Sequence, residues 1–173
     1  MDQELEDLLQ DLDIPESYGV DRGFVLHAQP PLSELEVVAI DFEGKPFILT
    51  RATATAWREL QSAATRDGVE ILPFSGFRSY KYQAGLIRRH LERGRPLDDV
   101  LTSLAAPGYS EHHTGRAVDV TDRVVEPLVE AFDKTQAFEW LTKRADEFGF
   151  VMSYPADNQH GLIYEPWHWA YHS

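Results

Sequence analysis

Ser110-Glu111-His112-His113-Thr114-Gly115-Arg116-Ala117-Val118-Asp119, answered near the C-terminus by Glu165-Pro166-Trp167-His168-Trp169, is the part of the sequence that decides the fold. His112, Asp119 and His168 offer two imidazoles and a carboxylate. That is the donor set of a catalytic zinc ion, which keeps three protein ligands and leaves one coordination position to water. A structural zinc site closes that position with a fourth side chain, usually Cys, and the 173-residue chain has no Cys. Glu165, three residues before the second imidazole, supplies a candidate base. These residue types together point to zinc-assisted hydrolysis.

Working outward, Val118 and Val120 alternate with Ala117 and Asp119, the pattern of a strand with valines to the core and Asp119 to a cleft. Gly115 and Ala117 are expected on the cleft side, small enough to admit an ion and its substrate. His112 and Asp119 are too far apart for the one-turn spacing of a helical HExxH site, so they must converge from a loop and the strand after it. A hydrogen-bonded surface pair satisfies the same spacing. Glu165 and His168 would face opposite ways in an ideal strand, but Pro166 favours an edge or bulge that turns both toward one point. The plainer alternative is a Glu and a His ending an edge strand. Trp167 and Trp169 are expected as core or cleft wall, fixing His168 and keeping Glu165 dry enough to raise its proton affinity.

Upstream, Glu70 to Phe74 reads as a strand delivering Ser75-Gly76-Phe77-Arg78, and Ser79 caps a helix with Tyr82, Leu86 and His90 on one face before Gly94. Leu5, Leu8, Leu9 and Leu12 recur at helical spacing until Pro15, followed by a loop over 17–35. Val37 to Ile40 and Phe47 to Leu49 read as a hairpin around Glu43-Gly44-Lys45. Thr50 opens a helix running to Ala64 and closed by Asp67-Gly68, and a short helix opens at Pro96-Leu97. Asp133 and Gln136 resemble a capping box for the helix carrying Phe138, Leu141, Ala145 and Phe148, which Gly149 ends. Phe150 to Tyr154 and Leu162 to Tyr164 read as closing strands, with Trp167 to Tyr171 extending the second. Helices and strands mix without βαβ alternation, which gives an α+β fold, a small antiparallel sheet flanked by helices. The expected organisation is an acidic N-terminal helix or tail over 1–25 and one body over 26–173.

Hydrophobic content of 43% fits a globular chain long enough to bury a core. The net charge is −13, more than half of it from seven acidic side chains within residues 1–16, where there is no Lys or Arg. That balance argues against a nucleic-acid partner, which needs clustered Lys and Arg. No stretch reaches the length of a membrane span, and the chain is expected to act as a monomer. No basic-then-apolar leader opens the sequence, which leans toward a cytoplasmic location; a leader already removed would allow a periplasmic or extracellular one.

Ser110-x-His112-x-x-Gly115-x-Ala117-x-Asp119 followed by Glu165-x-Trp167-His168, with Ser75-Gly76-Phe77-Arg78-Ser79 and Gln83 upstream, resembles the VanY-type D-alanyl-D-alanine carboxypeptidases, zinc peptidases of hedgehog-like fold. The resemblance runs from about Glu70 to the C-terminus. It implies one zinc ion per chain held by His112, Asp119 and His168, with Glu165 as catalytic base and Arg78 as a substrate or transition-state contact. Ser110 either hydrogen-bonds substrate or shapes its loop; Gln83 and Tyr80 either line the cleft or pack. The implied partner is a peptidoglycan stem peptide or its precursor. L,D-carboxypeptidase, D-Ala-D-Ala dipeptidase and lysin-type endopeptidase activities share the same chemistry. A zinc-stabilised binding module without catalysis is the reading from another class. The chain departs from the family at Ala170, where many members have Arg, and at His113, where an amide or other polar residue is common. His113 is expected as a solvent-facing imidazole. His27, His90, His160 and His172 have no partner spacing, and Asp122 falls outside the ligand set.

Overall fold

In the computed structural model, which describes residues 3–172, the leucine pattern forms α1 (Gln3–Asp11), with Leu5 and Leu12 buried. A single turn, α2 (Tyr18–Asp21), follows. β1 (Leu35–Ile40) and β2 (Pro46–Thr50) pair as an antiparallel hairpin. Its tip is shaped by Asp41, whose Oδ1 accepts from the main-chain N–H groups of Glu43 and Lys45. α3 (Arg51–Arg66) starts at Thr50, whose hydroxyl bonds that of Thr53 rather than a free main-chain N–H, and runs past Ala64 to the Asp67–Gly68 turn. β3 (Leu72–Ser75) leads to α4 (Tyr80–Glu92), where Ser79 Oγ accepts from the Tyr82 N–H at 3.1 Å. α5 (Leu97–Val100), β4 (Ala117–Thr121), α6 (Gln136–Arg144), β5 (Phe150–Met152) and β6 (His168–Tyr171) complete the chain.

Strands β3 to β6 form an antiparallel sheet in the order β3-β4-β6-β5. Ser75 lies opposite Asp119, and Asp119 opposite His168. Residues opposite one another share a sheet face, so this register sets Asp119 and His168 side by side. Val118, Val120 and Trp169 take the other face and pack with Trp57 and Leu60 of α3, Leu141 of α6 and Phe150. Leu12, Ile14, Tyr18, Ala84, Ile87 and Leu101 form a second cluster, through which the N-terminal segment meets α4. The result is an α+β domain with one sheet face dry and the other given to polar side chains.

Several expectations are corrected. Leu162 to Tyr164 is not a strand: Ile163 donates to Thr102 O at 2.8 Å and Glu165 to Tyr154 O at 3.0 Å, so separate loops hold the segment in place of a ladder. β5 stops at Met152, short of Tyr154 and Pro155. Asp133 does not cap α6. It belongs to a 3-10 turn (Glu130–Lys134), and the extended residue directly before the helix is Thr135, whose Oγ1 accepts from the Phe138 N–H at 3.2 Å. Gly115 faces the hairpin instead of the cleft. Its carbonyl accepts from Thr50 at 2.9 Å, and at φ +65° a Cβ would press within 3.0 Å of Leu35. Ala117 is fully buried opposite Ala170 and does not line the cleft.

Candidate metal centre

After β3 the chain crosses the sheet edge at Gly76. A side chain is impossible there, because a Cβ would lie 2.4 Å from Ile48 O. Phe77 donates to that same carbonyl at 2.7 Å, which fixes the crossing against the hairpin. The Gly76 carbonyl lies 2.7 Å from His112 Nδ1. A carbonyl only accepts, so the imidazole proton sits on Nδ1 and the lone pair on Nε2. Burial chiefly, helped by the Arg78 charge and opposed by Asp119, lowers the His112 pKa to about 4, so the ring is neutral near pH 7. Its buried Nε2 makes no hydrogen bond to any described residue, yet Asp119 Oδ2 is 3.2 Å away. Two lone pairs facing each other in a buried site call for a cation between them.

Asp119 is gripped on both oxygens. Oδ2 accepts from Arg78 Nη2 at 3.0 Å, and Oδ1 accepts from His168 Nδ1 at 2.9 Å. Burial opposes its ionisation, but the charges and hydrogen bonds of His168 and Arg78 outweigh that and hold the carboxyl well below its usual range. His168 Nε2 is 2.9 Å from Glu111 Oε2. Burial disfavours the imidazolium, yet the bonds to Asp119 and Glu111 raise the His168 pKa to about 10. Glu111 answers in kind: burial pushes it up, and His168 more than reverses this, to about 2. One ligand atom each from His112, Asp119 and His168 lie within 4.8 Å of one another, all buried. The three fit one metal ion. His168 would hold such an ion through Nδ1 once that nitrogen gives up its proton, with Nε2–H kept on Glu111, the usual carboxylate–imidazole–metal arrangement.

Glu165 reaches the same point by a tight turn at Pro166–Trp167, closed by the His168 N–H donating to Glu165 O at 3.1 Å. The turn brings Glu165 Oε2 within 3.9 Å of His168 Nδ1. Burial above all raises the Glu165 pKa to about 7; Asp119 and Glu111 reinforce the rise, while His168 and Arg78 oppose it. Trp167 lines the cleft and Trp169 packs in the core, its indole donating to Pro166 O at 3.0 Å.

Arg78 is locked by its surroundings. Its N–H donates to His112 O at 3.1 Å, and its Nη1 to Gln83 Oε1 at 3.3 Å. Gln83 is buried and its amide donates in turn to Ala105 O at 2.8 Å, so both ends of that side chain are engaged within the protein. Ser110 is buried in the cleft wall at the head of the turn carrying His112. Arg78, Gln83, Ser110, Glu165 and the three donors all line one cleft of about 770 Å³.

His113 is not solvent-facing. The 3-10 turn (Glu111–Thr114) directs it inward, where it is fully buried, meets the Tyr80 ring edge-on at 4.7 Å and donates from Nδ1 to Arg78 O at 2.6 Å. Burial lowers its pKa to about 3. The sequence reading gave no role to three further participants: Glu111, the Gly76 carbonyl, and Tyr154, whose ring lies 4.7 Å from that of His168. Glu111 adjoins a ligand candidate, which is a signal of a kind. Its contact with a residue 57 positions away was not legible.

A family model described as VanY, D-alanyl-D-alanine carboxypeptidase, matches residues 47–173. The chain belongs to this family of metallopeptidases. The match begins in β2, upstream of the point where the motifs start. Among curated proteins, "Putative carboxypeptidase YodJ" of Bacillus subtilis (strain 168) is 30% identical over 161 residues, covering 88% of this chain and 58% of that protein. A D-alanyl-D-alanine carboxypeptidase of Enterococcus faecalis (strain ATCC 700802 / V583) is 29% identical over 124 residues, covering 66% of this chain and 44% of that protein. The chain thus spans about half the length of these curated relatives. Among solved structures, the LdcB LD-carboxypeptidase superposes with a TM-score of 0.73 at 29% identity, covering 84% of this chain and 70% of its own. A mutant of the vancomycin-resistance D,D-pentapeptidase VanY in complex with Zn(II) superposes with a TM-score of 0.62 at 26% identity, covering 85% and 86%.

Proposed function

We propose that this chain is a zinc-dependent D,D-carboxypeptidase that hydrolyses the terminal D-Ala-D-Ala amide of peptidoglycan stem peptides or their precursors. The observation that carries the reading is the buried, partnerless Nε2 of His112 facing Asp119, with His168 and a proton-hungry Glu165 at the same point. His112 Nε2, Asp119 and His168 Nδ1 would hold one zinc ion, whose chemistry when bound is Lewis-acid activation of water and of the scissile carbonyl. Glu165 takes a proton from the attacking water as its oxygen bonds to the carbonyl carbon, and returns it to the amine as the C–N bond breaks. A carboxyl with a pKa near 7 can do both at neutral pH. Arg78 presents the N–H groups that Asp119 and Gln83 leave free, including a buried Nε with no partner among the described residues. They suit a substrate carboxylate or the developing oxyanion, on which a fixed donor is worth about 10²–10³ in rate. Ser110 is read as a wall contact and Gln83 as the residue that orients Arg78.

Zinc-loaded protein should release D-alanine from a muramyl pentapeptide. Glu165→Ala should lose about 10²–10⁴ in rate while keeping one zinc per chain. A zinc-loaded wild type inert toward both D,D and L,D stem peptides would refute the reading. The likeness to the LdcB LD-carboxypeptidase favours a second reading, removal of D-alanine from a tetrapeptide by the same residues. Product masses from defined pentapeptides and tetrapeptides decide between the two.

A further inference from the structure

Leu128 combines a left-handed backbone with a large apolar side chain. Its φ is +59°, and the other non-glycine residue of positive φ among those described is Asp13, a type that tolerates the conformation better. Leu128 is the second corner of a turn at Pro127–Leu128, a place where positive φ normally selects Gly or Asn. Core packing does not explain the choice, because the residue is 42% exposed. It lines the same cleft as Arg78 and Glu165, and so does Ile163, another large apolar residue, left 39% exposed. Leu128 lies on the loop leaving β4, the strand of Asp119; Ile163 lies two residues before Glu165, pinned through its N–H to Thr102 O. A strained conformation that leaves a large apolar side chain 42% exposed is a sign of use outside the fold.

We propose that Leu128 is a specificity-determining residue, held in its left-handed turn so that it and Ile163 receive an aliphatic side chain of the bound peptide on the acyl side of the scissile amide. This rests on the carboxypeptidase reading above. A carboxypeptidase must house the C-terminal residue of its substrate at the metal centre, where the Arg78 side chain is only 12% exposed. The rest of the peptide must leave through the more exposed lining of the cleft, to which these two apolar groups belong. Covering methylenes there favours a long aliphatic side chain over none.

The test uses the zinc-loaded full chain and N-acetylated X-D-Ala-D-Ala and X-D-Ala peptides, with X either norleucine or glycine. Wild type should prefer norleucine about tenfold in kcat/KM, mainly through KM. Leu128→Gly and Leu128→Asn should bring that preference down to about twofold without lowering Tm by more than about 3 °C. Asn suits a left-handed corner but lacks the apolar group, so agreement between the two variants excludes simple loosening of the loop. Calorimetric binding of the same peptides to the Glu165→Ala protein reads the preference without turnover. Absence of cleavage therefore counts against the carboxypeptidase reading alone. A wild-type preference near one in binding, an undiminished preference in both variants, or a large fall of Tm in both would overturn the proposal.

Discussion

Glu111 and Asp119 take the two nitrogens of His168 from opposite sides, at 2.9 Å each. Glu111 therefore sets the orientation and basicity of the Nδ1 that would meet a metal. Glu111→Gln should weaken zinc binding about 10- to 100-fold in a chelator-competition titration, the usual effect of losing such an outer carboxylate. His113 makes a different kind of contribution. Its pKa falls from 6.5 to about 3 on burial among Arg78, His112 and His27. Between those values the unfolded chain binds more protons than the folded one, so this stability is present above about pH 6.5 and is lost as pH falls toward 3. Zinc-free wild type should thus lose denaturation midpoint more steeply from pH 7.5 to 5 than His113→Gln, whose amide retains a donor for Arg78 O. Equal slopes would show that His113 does not stay neutral in the fold. The ligand candidates, Glu165 and Arg78 were all legible as residue types in a motif. His113 looks solvent-facing in the sequence because nothing in its own neighbourhood reveals the Tyr80 ring and Arg78 carbonyl that enclose it.

At the scale of elements, local chemistry was readable where one residue performs one job. Ser79 caps α4, and Gly68 and Gly149 take the positive φ that closes the turns they stand in, whereas α1 ends at Asp11, four residues before Pro15. It misled where two candidates competed. Asp133 and Thr135 both suit a helix start, and the preceding 3-10 turn consumed the former. Thr135→Ala should cost about 1 kcal/mol in urea denaturation, whereas Asp133→Ala should stay within about 0.5 kcal/mol. The apolar run Leu162-Ile163-Tyr164 has strand composition, but its hydrogen bonds go to Thr102 and other loops that no local pattern announces.

Across the whole molecule, the sheet order β3-β4-β6-β5 unites residues that the chain separates widely, with Asp119 and His168 paired across 49 positions. Register of that kind depends on tertiary packing, which is why the donor set could be guessed from the sequence but not its side-by-side arrangement. A metal bound by His112, Asp119 and His168 would tie a 3-10 turn and strands β4 and β6 together. Zinc at 100 times its dissociation constant should stabilise the chain by about 2.7 kcal/mol, seen as a rise in Tm that a chelator reverses. His168→Ala should abolish that rise, and a Tm indifferent to zinc in the wild type would argue against a specific ion.

His112 and His113 are both tethered to main-chain carbonyls, those of Gly76 and Arg78, and not to other side chains. Every amino acid brings a carbonyl, so these anchors survive any exchange of side chains that leaves the trace of the backbone intact. Evolution is accordingly free to remodel the walls of the cleft for new substrates while the centre keeps its shape.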